Sequence, residues 1–399
     1  MNKSTFFTGQ PIFTQLLKFI PRDSVTRIAQ QHKADRYSKR FSTYEHLVTI
    51  LYSVFNNCNS LREITTGMLA SEQRLNHLGI RYPPRRSTIS DANSRRNAEV
   101  FGEIYYSLYK RYAQFLSDSR RRDKTSRLYI FDATTISLFQ EVLRTSGKNP
   151  SGKRKGGIKV HTLIRSDQDV PCMIRYSAAA ANDSQFLKEV QLPKGSIIVF
   201  DRGYYDFITL NRFSSEDITW VTRRRSHFAY DILNRLPNPD KQYGIICDQH
   251  IRLGNRSSTR VEARVVKYRD PDSGELYEFL TNNLKMGALT VTDLYRKRWQ
   301  IELLFKRMKQ NYPLKYFLGD SENAIKIQIW CSLIADLLLK IVKKGAAAKW
   351  SFSNLAAMVR LHLMTYINLF AFLKSPEKAL LKTFFRQKQY SDKQLMLIT

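Results

Sequence analysis

Two short apolar runs that each end at an aspartate constrain the fold of this chain most. Residues 128–131 lead into Asp132 in the sequence LYIFDA, and residues 195–200 lead into Asp201 in GSIIVFDRG. Apolar runs of this length, bounded by polar residues, are typical of buried strands. If the two strands lie side by side in one sheet, both carboxylates emerge at the same edge. On these runs alone, each acid could also be an ordinary loop residue.

The segments around these runs predict a mixed α/β sheet rather than a doubly wound one. Residues 156–165 and 169–180 have the pattern of an antiparallel hairpin turned by Ser-Asp-Gln, and residues 183–190 that of a short helix. Residues 218–225 form another predicted strand, and further β-rich pieces follow at 261–268 and 276–283. The order of strand, hairpin, helix and strand indicates an α/β fold class.

Helical patterns flank this β-rich middle on both sides. Apolar residues at three-and-four spacing predict helices over 43–57 and 98–116, and helices return beyond Pro313. Between the first two lies the basic segment 81–96, with a Pro-Pro stop and then Ser87 or Thr88 as a predicted helix cap. This segment is either a helix-turn-helix reading head or an ordinary turn with a solvated basic face.

The net charge points to a polyanionic partner. The chain has 65 Lys and Arg residues against 35 Asp and Glu, which gives a formal charge of +30 and a pI of about 10.0. Such an excess is more than solubility requires, and nucleic acid is the simplest physical reason for it. A ribosome-like or membrane-surface protein is the alternative.

The cysteine and hydropathy patterns indicate a reducing, cytoplasmic setting. No two of the four cysteines lie close together in the sequence, so neither a CxxC metal site nor a redox pair is present. The first residues have no secretory pattern. The most apolar stretch, 325–342, is interrupted by Lys326, Asp336 and Lys340, which favours a packed helix over a membrane span.

A third acid lies on a long helix predicted after residue 289. Thr290 is its expected cap, with Asp293 as the capping-box acid. The spacing predicts one shared helical face for a row of aromatic and charged residues, namely Tyr295, Arg298, Glu302, Phe305 and Lys309. An ordinary solvated face with internal ion pairs is an equal reading of the spacing.

The residues 295-YRKRWQIELLFKRMK-309 resemble the Tyr-Arg-Glu-Lys signature of one large group of bacterial insertion-sequence transposases, the fourth insertion-sequence family. They match every defined position of it. DATT at 132–135 is similar to the family's first aspartate motif, and DRGYYD at 201–206 to its second. The resemblance covers roughly residues 125–340.

The resemblance implies a ribonuclease-H-like catalytic core with a β-rich insertion, flanked by helical regions. The expected domains are an N-terminal helical DNA-binding domain at 1–122, a catalytic core at 123–223 and 284–318, the insertion at 224–283, and a C-terminal helical region at 319–399.

The resemblance also implies the chemistry. Asp132, Asp201 and Glu302 are the expected catalytic residues and ligands of two Mg²⁺ ions, for which Mn²⁺ could substitute. Asp132 is the expected bridging ligand. The expected reactions are hydrolysis at the element end, through a hairpin in some family members, and strand transfer into target DNA.

The expected DNA contacts are Tyr295, Arg298 and Lys309 at phosphates, and Tyr277 as a stacking surface for a flipped base. Relatives have a tryptophan where this chain has Tyr277, and packing within the sheet is the alternative role. Trp220 is a competing candidate for stacking. The basic loops 146–157 and 222–226 are expected to follow DNA.

The expected partners are the terminal inverted repeats of the element and target DNA, both double-stranded, with a homodimer assembling on them and no membrane. The expected location is the bacterial cytoplasm, in association with the nucleoid. Two alternatives remain from the sequence: a metal-dependent nuclease of the same fold that does not join DNA, and a catalytically inactive DNA-binding protein.

Overall fold

The computed structural model describes residues 9–117, 127–137, 157–179, 181, 184–226, 228–237, 240–254, 260–347 and 349–379. The chain forms two compact units, one of residues Met1–Leu116 with Lys306–Thr399 and one of Ser117–Phe305. Helices from both ends of the chain therefore belong to one unit, whereas the sequence assigned them to separate regions. The four finer domain boundaries given above stay a prediction.

The helices of the described residues are, in chain order, α1 (Ile12–Leu17), α2 (Arg22–Gln31), α3 (Thr43–Asn56), α4 (Leu61–Ala70), α5 (Glu72–Leu75), α6 (Arg86–Arg95), α7 (Glu99–Leu116), α8 (Ser184–Lys188), α9 (Phe207–Ser215), α10 (Ala288–Arg296), α11 (Trp299–Asn311), α12 (Glu322–Gly345), α13 (Phe352–Leu361) and α14 (Leu369–Lys374). None of the helices in these described ranges is both long and apolar enough to cross a membrane.

The strands form one sheet in the second unit. They are β1 (Leu128–Ser137), β2 (Gly157–Arg165), β3 (Val170–Ala178), β4 (Ile197–Phe200), β5 (Thr219–Arg223), β6 (Tyr230–Arg235), β7 (Ile245–Leu253), β8 (Val261–Arg269) and β9 (Leu276–Thr281). Their order is β3-β2-β1-β4-β5-β9-β8-β7-β6. Strands β1, β4 and β5 are mutually parallel, and the other pairings are antiparallel.

Five neighbouring strands, in the order β3-β2-β1-β4-β5, form the core part of this sheet, and β2 is antiparallel to both of its neighbours. This arrangement confirms the expected α/β class and its ribonuclease-H-like core. The predicted β-rich insertion supplies β6 to β9. Strand β9 pairs with β5, with Arg223 opposite Phe279, so the insertion extends the same sheet. Backbone hydrogen bonds between β5 and β9 thus join the two parts directly.

Buried side chains cover both faces of the central strands. On β4, Ile198 and Phe200 pack into a cluster with α9, whereas Ile197 and Val199 pack into a second cluster with α10. Because alternate residues of a strand point to opposite faces, a strand buried on both sides is apolar throughout. This explains the uninterrupted apolar run before Asp201.

Three local predictions are wrong. Strand β1 does not end at Asp132 but continues to Ser137, because β2 remains paired with it as far as Gly157. Helix α6 begins at Arg86 after the N-cap residue Arg85, so neither Ser87 nor Thr88 caps it. Helix α10 begins after Gly287 without a side-chain cap, so the expected cap at Thr290 is also wrong.

The long helix predicted after residue 289 is in fact two helices, α10 and α11. Between them the backbone N–H groups of Arg298 and Ile301 donate to carbonyl groups three residues earlier, at Tyr295 and Arg298. Bonds of this spacing wind the chain more tightly than an α-helix. The tight turn separates Tyr295 on α10 from Glu302 on α11, with Arg298 between them.

One buried ion pair fixes the approach to α10. The Arg264 guanidinium on β8 donates to both carboxylate oxygens of Asp248 on β7, and both side chains are almost fully buried. Arg264 also donates to the carbonyl groups of Asn283 and Met286, in the segment between β9 and α10. The pair therefore connects the insertion to the segment that leads to the third acid.

We expect Asp248→Ala to lower the free energy of unfolding by about 3 to 5 kcal/mol, because it leaves the buried Arg264 charge without its partner. Glu262→Ala is the matched control. Glu262 pairs with Arg252 on the same two strands but is 62% exposed, so its loss should cost less than about 1 kcal/mol. Urea titration followed by circular dichroism measures both. Equal losses would contradict the role given to the buried pair.

Candidate active site

The two aspartates lie on neighbouring strands. Strands β1 and β4 are parallel, and Phe131 on β1 pairs with Phe200 on β4. An aspartate follows each of these two phenylalanines in the sequence. This confirms the prediction that the two apolar runs are adjacent in one sheet. Asp132 lies where β1 extends past the end of β4, and Asp201 is the first residue after β4. Both acids are thus at the same edge of the β1–β4 pair.

Glu302 is joined to this edge through Arg298. One guanidinium nitrogen of Arg298, Nη1, donates to Asp132 Oδ2 at 3.0 Å, and the other, Nη2, donates to Glu302 Oε1 at 2.6 Å. All three side chains are largely shielded from solvent, with exposed fractions of 18%, 15% and 32% for Arg298, Asp132 and Glu302. The guanidinium therefore lies between two of the three predicted metal ligands.

Two tyrosine hydroxyls complete the contacts of the aspartates. Tyr295 is buried and donates to Asp201 Oδ1 at 3.1 Å. Tyr204, in the turn after Asp201, donates to Asp132 Oδ1 at 3.0 Å. Tyr204 is not among the site residues predicted from the sequence. Its position three residues after Asp201 in DRGYYD was the available signal, because a turn there returns the chain toward the strand ends.

The electrostatics of Asp132 reflect its burial. Burial raises the pKa of the Asp132 carboxyl above its ordinary value, against the lowering effects of the Ala133 N–H and the Arg298 charge, and the neighbouring Asp201 raises it further. Burial also raises the pKa of the Tyr295 hydroxyl, and the adjacent Asp201 charge adds to this effect. Tyr295 therefore remains a neutral hydrogen-bond donor at physiological pH.

The acids do not form a ready metal cluster. Over the residues that the structure describes, no group of three or more His, Cys, Asp or Glu side chains is arranged to hold a metal ion. The Arg298 guanidinium lies between Asp132 and Glu302. A cation is already present where two carboxylates converge, and it offsets part of their negative charge.

The remaining predicted site residues have different surroundings. Lys309 is exposed in the last turn of α11, and its contact with phosphate stays a prediction. Trp220 is fully buried on β5 and donates through its indole nitrogen to Ser214 Oγ, so it offers no surface for a base. The basic loop 146–157 lies almost entirely outside the described residues.

The basic segment 222–226 is tied into the fold. Arg225 donates to the carbonyl groups of Arg202 and Gly203, in the turn after Asp201, and Arg224 pairs with Glu278 on β9. These two arginines fix the chain beside the candidate site. The first part of this segment, as far as Arg223, belongs to β5 and is not the loop expected from the sequence.

Tyr277 begins a row of aromatic rings that ends at the candidate site. Its ring stacks on Phe279 with centroids 5.9 Å apart, and Phe279 packs against Tyr295 at 5.0 Å. The Arg223 guanidinium lies over the Tyr277 ring at 4.9 Å. Tyr277 is half-buried and contacts the apolar layer on this face, so it both packs on the sheet and shows part of its ring to solvent.

Comparison with known proteins identifies two families along the chain. Residues 123–338, more than half of the chain, match the model described as the Transposase DDE domain. Residues 8–81 match a model described only as a domain of unknown function, DUF4372. The first match includes Asp132, Asp201 and Glu302.

Individual relatives are similar over about two thirds of the chain. The protein named putative transposase y4zB of Sinorhizobium fredii is 29% identical over 267 residues, which are 65% of this chain and 72% of that relative. The putative transposase for insertion sequence element IS4SA of Synechocystis is 28% identical over 270 residues, 64% of this chain and 71% of the relative.

Among solved structures, the cryo-EM structure of the piggyBac transposase synaptic complex with hairpin DNA aligns with 98% of this chain and 86% of its own. The TM-score is 0.46 and the identity 9%, a similarity too distant to bear on the chemistry of this chain.

The contact between Arg298 and Asp132 should be energetically coupled. In a double-mutant cycle of Asp132→Ala and Arg298→Ala, we expect a coupling free energy of about 1 to 3 kcal/mol, because both groups are largely shielded from solvent. The pair Arg175 and Glu189 is the control, since each is about half exposed and should couple by less than about 1 kcal/mol. Urea unfolding of the single and double variants gives both values, and equal coupling in the two cycles would contradict the arrangement.

Proposed function

This chain belongs to the transposase DDE domain family and is an enzyme of DNA transposition, and we propose that Asp132, Asp201 and Glu302 are its catalytic residues. The resemblance to bacterial insertion-sequence transposases is thereby confirmed. The observation that carries the residue assignment is that two aspartates lie at the same edge of neighbouring strands and that Arg298 joins Glu302 to one of them, Asp132.

Enzymes of this family depend on divalent metal ions. We propose two Mg²⁺ ions, with Mn²⁺ as a substitute, which Asp132, Asp201 and Glu302 would hold. Carboxylate oxygens are the ligands that Mg²⁺ prefers, and the Arg298 guanidinium marks a place where these acids accept positive charge. When bound, such ions activate an attacking oxygen and stabilise a leaving one.

The proposed reaction has two phosphoryl-transfer steps. In the first, the oxygen of a water molecule bonds to phosphorus at the element end, the bond from phosphorus to the 3′ oxygen breaks, and a 3′-hydroxyl is freed. In the second, that hydroxyl oxygen bonds to a phosphorus of target DNA and displaces the target's own 3′ oxygen. The strand joins without a further source of energy, because one phosphodiester replaces another.

Arg298 has two tasks in this proposal. Without DNA it neutralises Asp132 and Glu302, and in the complex its guanidinium moves to a phosphate oxygen beside the cut. Planar guanidinium groups bind phosphate and carboxylate in the same paired geometry, so the exchange requires no new type of contact. Tyr295 then donates its hydroxyl to a phosphate, and Lys309 on α11 binds the backbone farther along the DNA.

The protein binds DNA, and we propose that its substrates are the terminal inverted repeats of an element and double-stranded target DNA. An element has two ends, so two copies of the chain on two ends would form a homodimer. The N-terminal helices would supply DNA contacts away from the cut. The formal charge of +30 supports this extensive contact with phosphates, and the nucleoid would be the place of action.

The assignment of the acids is tested by Asp132→Ala, Asp201→Ala and Glu302→Ala. Each should reduce cleavage of element-end DNA in Mg²⁺ by at least about a thousandfold, while affinity for the same DNA changes by less than about threefold, because affinity comes from the basic surface. A pre-cut end carrying a 3′-hydroxyl tests joining separately.

Calorimetric titration of Mn²⁺ into the complex with a pre-cut element end, in which Arg298 contacts a DNA phosphate in this proposal, supplies a readout that is independent of activity. Each alanine variant should lose Mn²⁺ binding, whereas Glu189→Ala, at an exposed carboxylate of the same unit, should bind as the unchanged protein does. Cleavage at the normal rate by any of the three variants would remove that residue from the site.

The resemblance implies that the element end can pass through a hairpin, and on that route we propose Tyr277 as the stacking surface for a flipped base. Tyr277→Ala should slow hairpin formation by about one to two orders of magnitude, since stacking of a base on an aromatic ring contributes about 1 to 3 kcal/mol. Nicking of the first strand precedes the bend and should keep its rate. Tyr277→Trp should restore hairpinning. A time course that resolves nicked, hairpin and fully cut DNA shows each step, and a matching loss of nicking would instead indicate that Tyr277 only packs on the sheet.

A further inference from the structure

We infer that the outer face of helix α6 reads bases in the major groove of double-stranded DNA, and that the clefts on its two sides bind the flanking phosphates. This inference deepens the proposed function and rests on it, because it assigns DNA recognition to one face of the first unit. The exposed positions Arg86, Ser87, Ser90, Asp91 and Ser94, together with the lining of the two clefts, are called the α6 surface below.

The inner face of α6 is held rigidly within the first unit. Ile89 and Ala92 are buried, and Asn93 Oδ1 bonds to Nε2 of the buried His46 at 2.8 Å. The Asn323 amide on α12 donates to the carbonyl groups of Asn93 and Arg96, both at 2.7 Å. Polar contacts on the buried side therefore fix the direction and rotation of the helix.

The outer face has the composition of a reading surface rather than of a merely stable helix. Serine at three exposed positions out of ten residues is a poor choice for helix stability, where alanine, glutamate or lysine would serve better. Short hydroxyl side chains on an α-helix instead allow close approach to base edges and can donate or accept hydrogen bonds there. With side chains included, a helix is about 10–12 Å wide, which matches the B-DNA major groove of about 12 Å.

One cleft lies between α6, the start of α4 and the segment before α12. Its volume is about 750 Å³, and Arg62 and Arg86 are on its wall. The capped first turns of α4 and α12 also border it, with Ser60 and Ser321 as cap residues. Partial positive charge at helix starts adds to the two guanidinium groups, against the single carboxylate of Asp320.

The second cleft lies on the other side of α6 and is formed with the segment before α3. Its volume is about 500 Å³, and the cations on it are Arg36, Lys39, Arg40 and Arg95. The buried Arg96 holds this segment against α6 by donating to Asp35 Oδ1 at 3.1 Å and to the Phe41 carbonyl. The segment is thus a built part of the surface.

The charge of the two clefts favours a polyanion. The two clefts carry six exposed cations and two exposed carboxylates, Asp91 and Asp320. Among the ion pairs of the described residues, only Arg95–Asp91 involves one of these cations. Tyr37, 82% exposed in the second cleft, has a φ of 65°, which side-chain-bearing residues rarely adopt. A strained, exposed aromatic residue is consistent with contact to a partner.

Sequence selection tests the inference with the full chain. The chain is incubated with a library of randomised DNA duplexes, and the bound duplexes are sequenced. The unchanged protein should enrich one sequence. The double variant Ser87→Ala/Ser90→Ala should bind that sequence at least about tenfold more weakly and should enrich a different sequence. Its affinity for random DNA should stay the same. Because alanine favours the helix, such a loss does not come from unfolding.

The phosphate contacts are tested on the selected duplex and on random DNA. Arg40→Ala and Arg62→Ala should weaken binding to both about equally and each reduce the slope of log affinity against log salt concentration by about 1. Lys110→Ala, an exposed cation on α7 that lines neither cleft, is the control and should leave the slope unchanged. Equal effects of all three would overturn the assignment of the clefts.

Two further results would overturn base reading by α6. The first is that the double serine variant selects the same DNA sequence as the unchanged protein. The second is that the unchanged protein binds an A-form RNA duplex, whose major groove is too narrow for a helix, as tightly as the selected DNA. Nicking of a supercoiled plasmid in Mn²⁺ distinguishes this failure from failure of the proposed function. If the double variant nicks normally but selects the same sequence, only the α6 inference fails. If the unchanged protein neither nicks nor joins DNA, the proposed function fails whatever α6 does.

Discussion

The parallel pairing of β1 with β4 is the contact on which the candidate site depends. It places Phe131 opposite Phe200, so that the polypeptide delivers two carboxylates side by side without any help from loops. The two neighbouring negative charges repel each other. Burial raises the pKa of the Asp132 carboxyl, and the Asp201 charge raises it further. The rest of the site can be understood as compensation: Arg298 and two tyrosine hydroxyls supply positive charge and hydrogen-bond donors to the two acids.

The same compensation explains the break between α10 and α11. Arg298 and Glu302 pair with each other, whereas Tyr295 and Arg298 also reach two different aspartates, Asp201 and Asp132. Tyr295 reaches Asp201 from α10, and Arg298 sits at the tight turn where its two nitrogens can contact acids from two elements. The insertion supports this geometry from the other side, because Arg264 holds the segment that leads into α10.

The first unit follows a different principle, in which buried polar contacts orient an exposed polar helix. The bonds from His46, Asn323 and Arg96 are made on the inner side of α6 and in the turn after it, and the described contacts of the outer side lie within the helix itself. A rigid helix with small polar side chains between two basic clefts combines weak local stability with a fixed orientation. That combination suits recognition, because the cost of ordering the helix is met within the fold and not on binding.

Much of the site was predictable from the sequence, and for a definable reason. Apolar runs record burial locally, which identified the strands before Asp132 and Asp201. The spacing from Tyr295 to Lys309 left a solvated face as an equal reading, and the resemblance to a transposase signature singled out Glu302. Tyr204, the bridging position of Arg298 and the joining of β9 to β5 were not predictable, because each depends on which distant segments meet. Periodicity reports whether a residue is buried, whereas packing and charge in the folded chain decide which partner it finds.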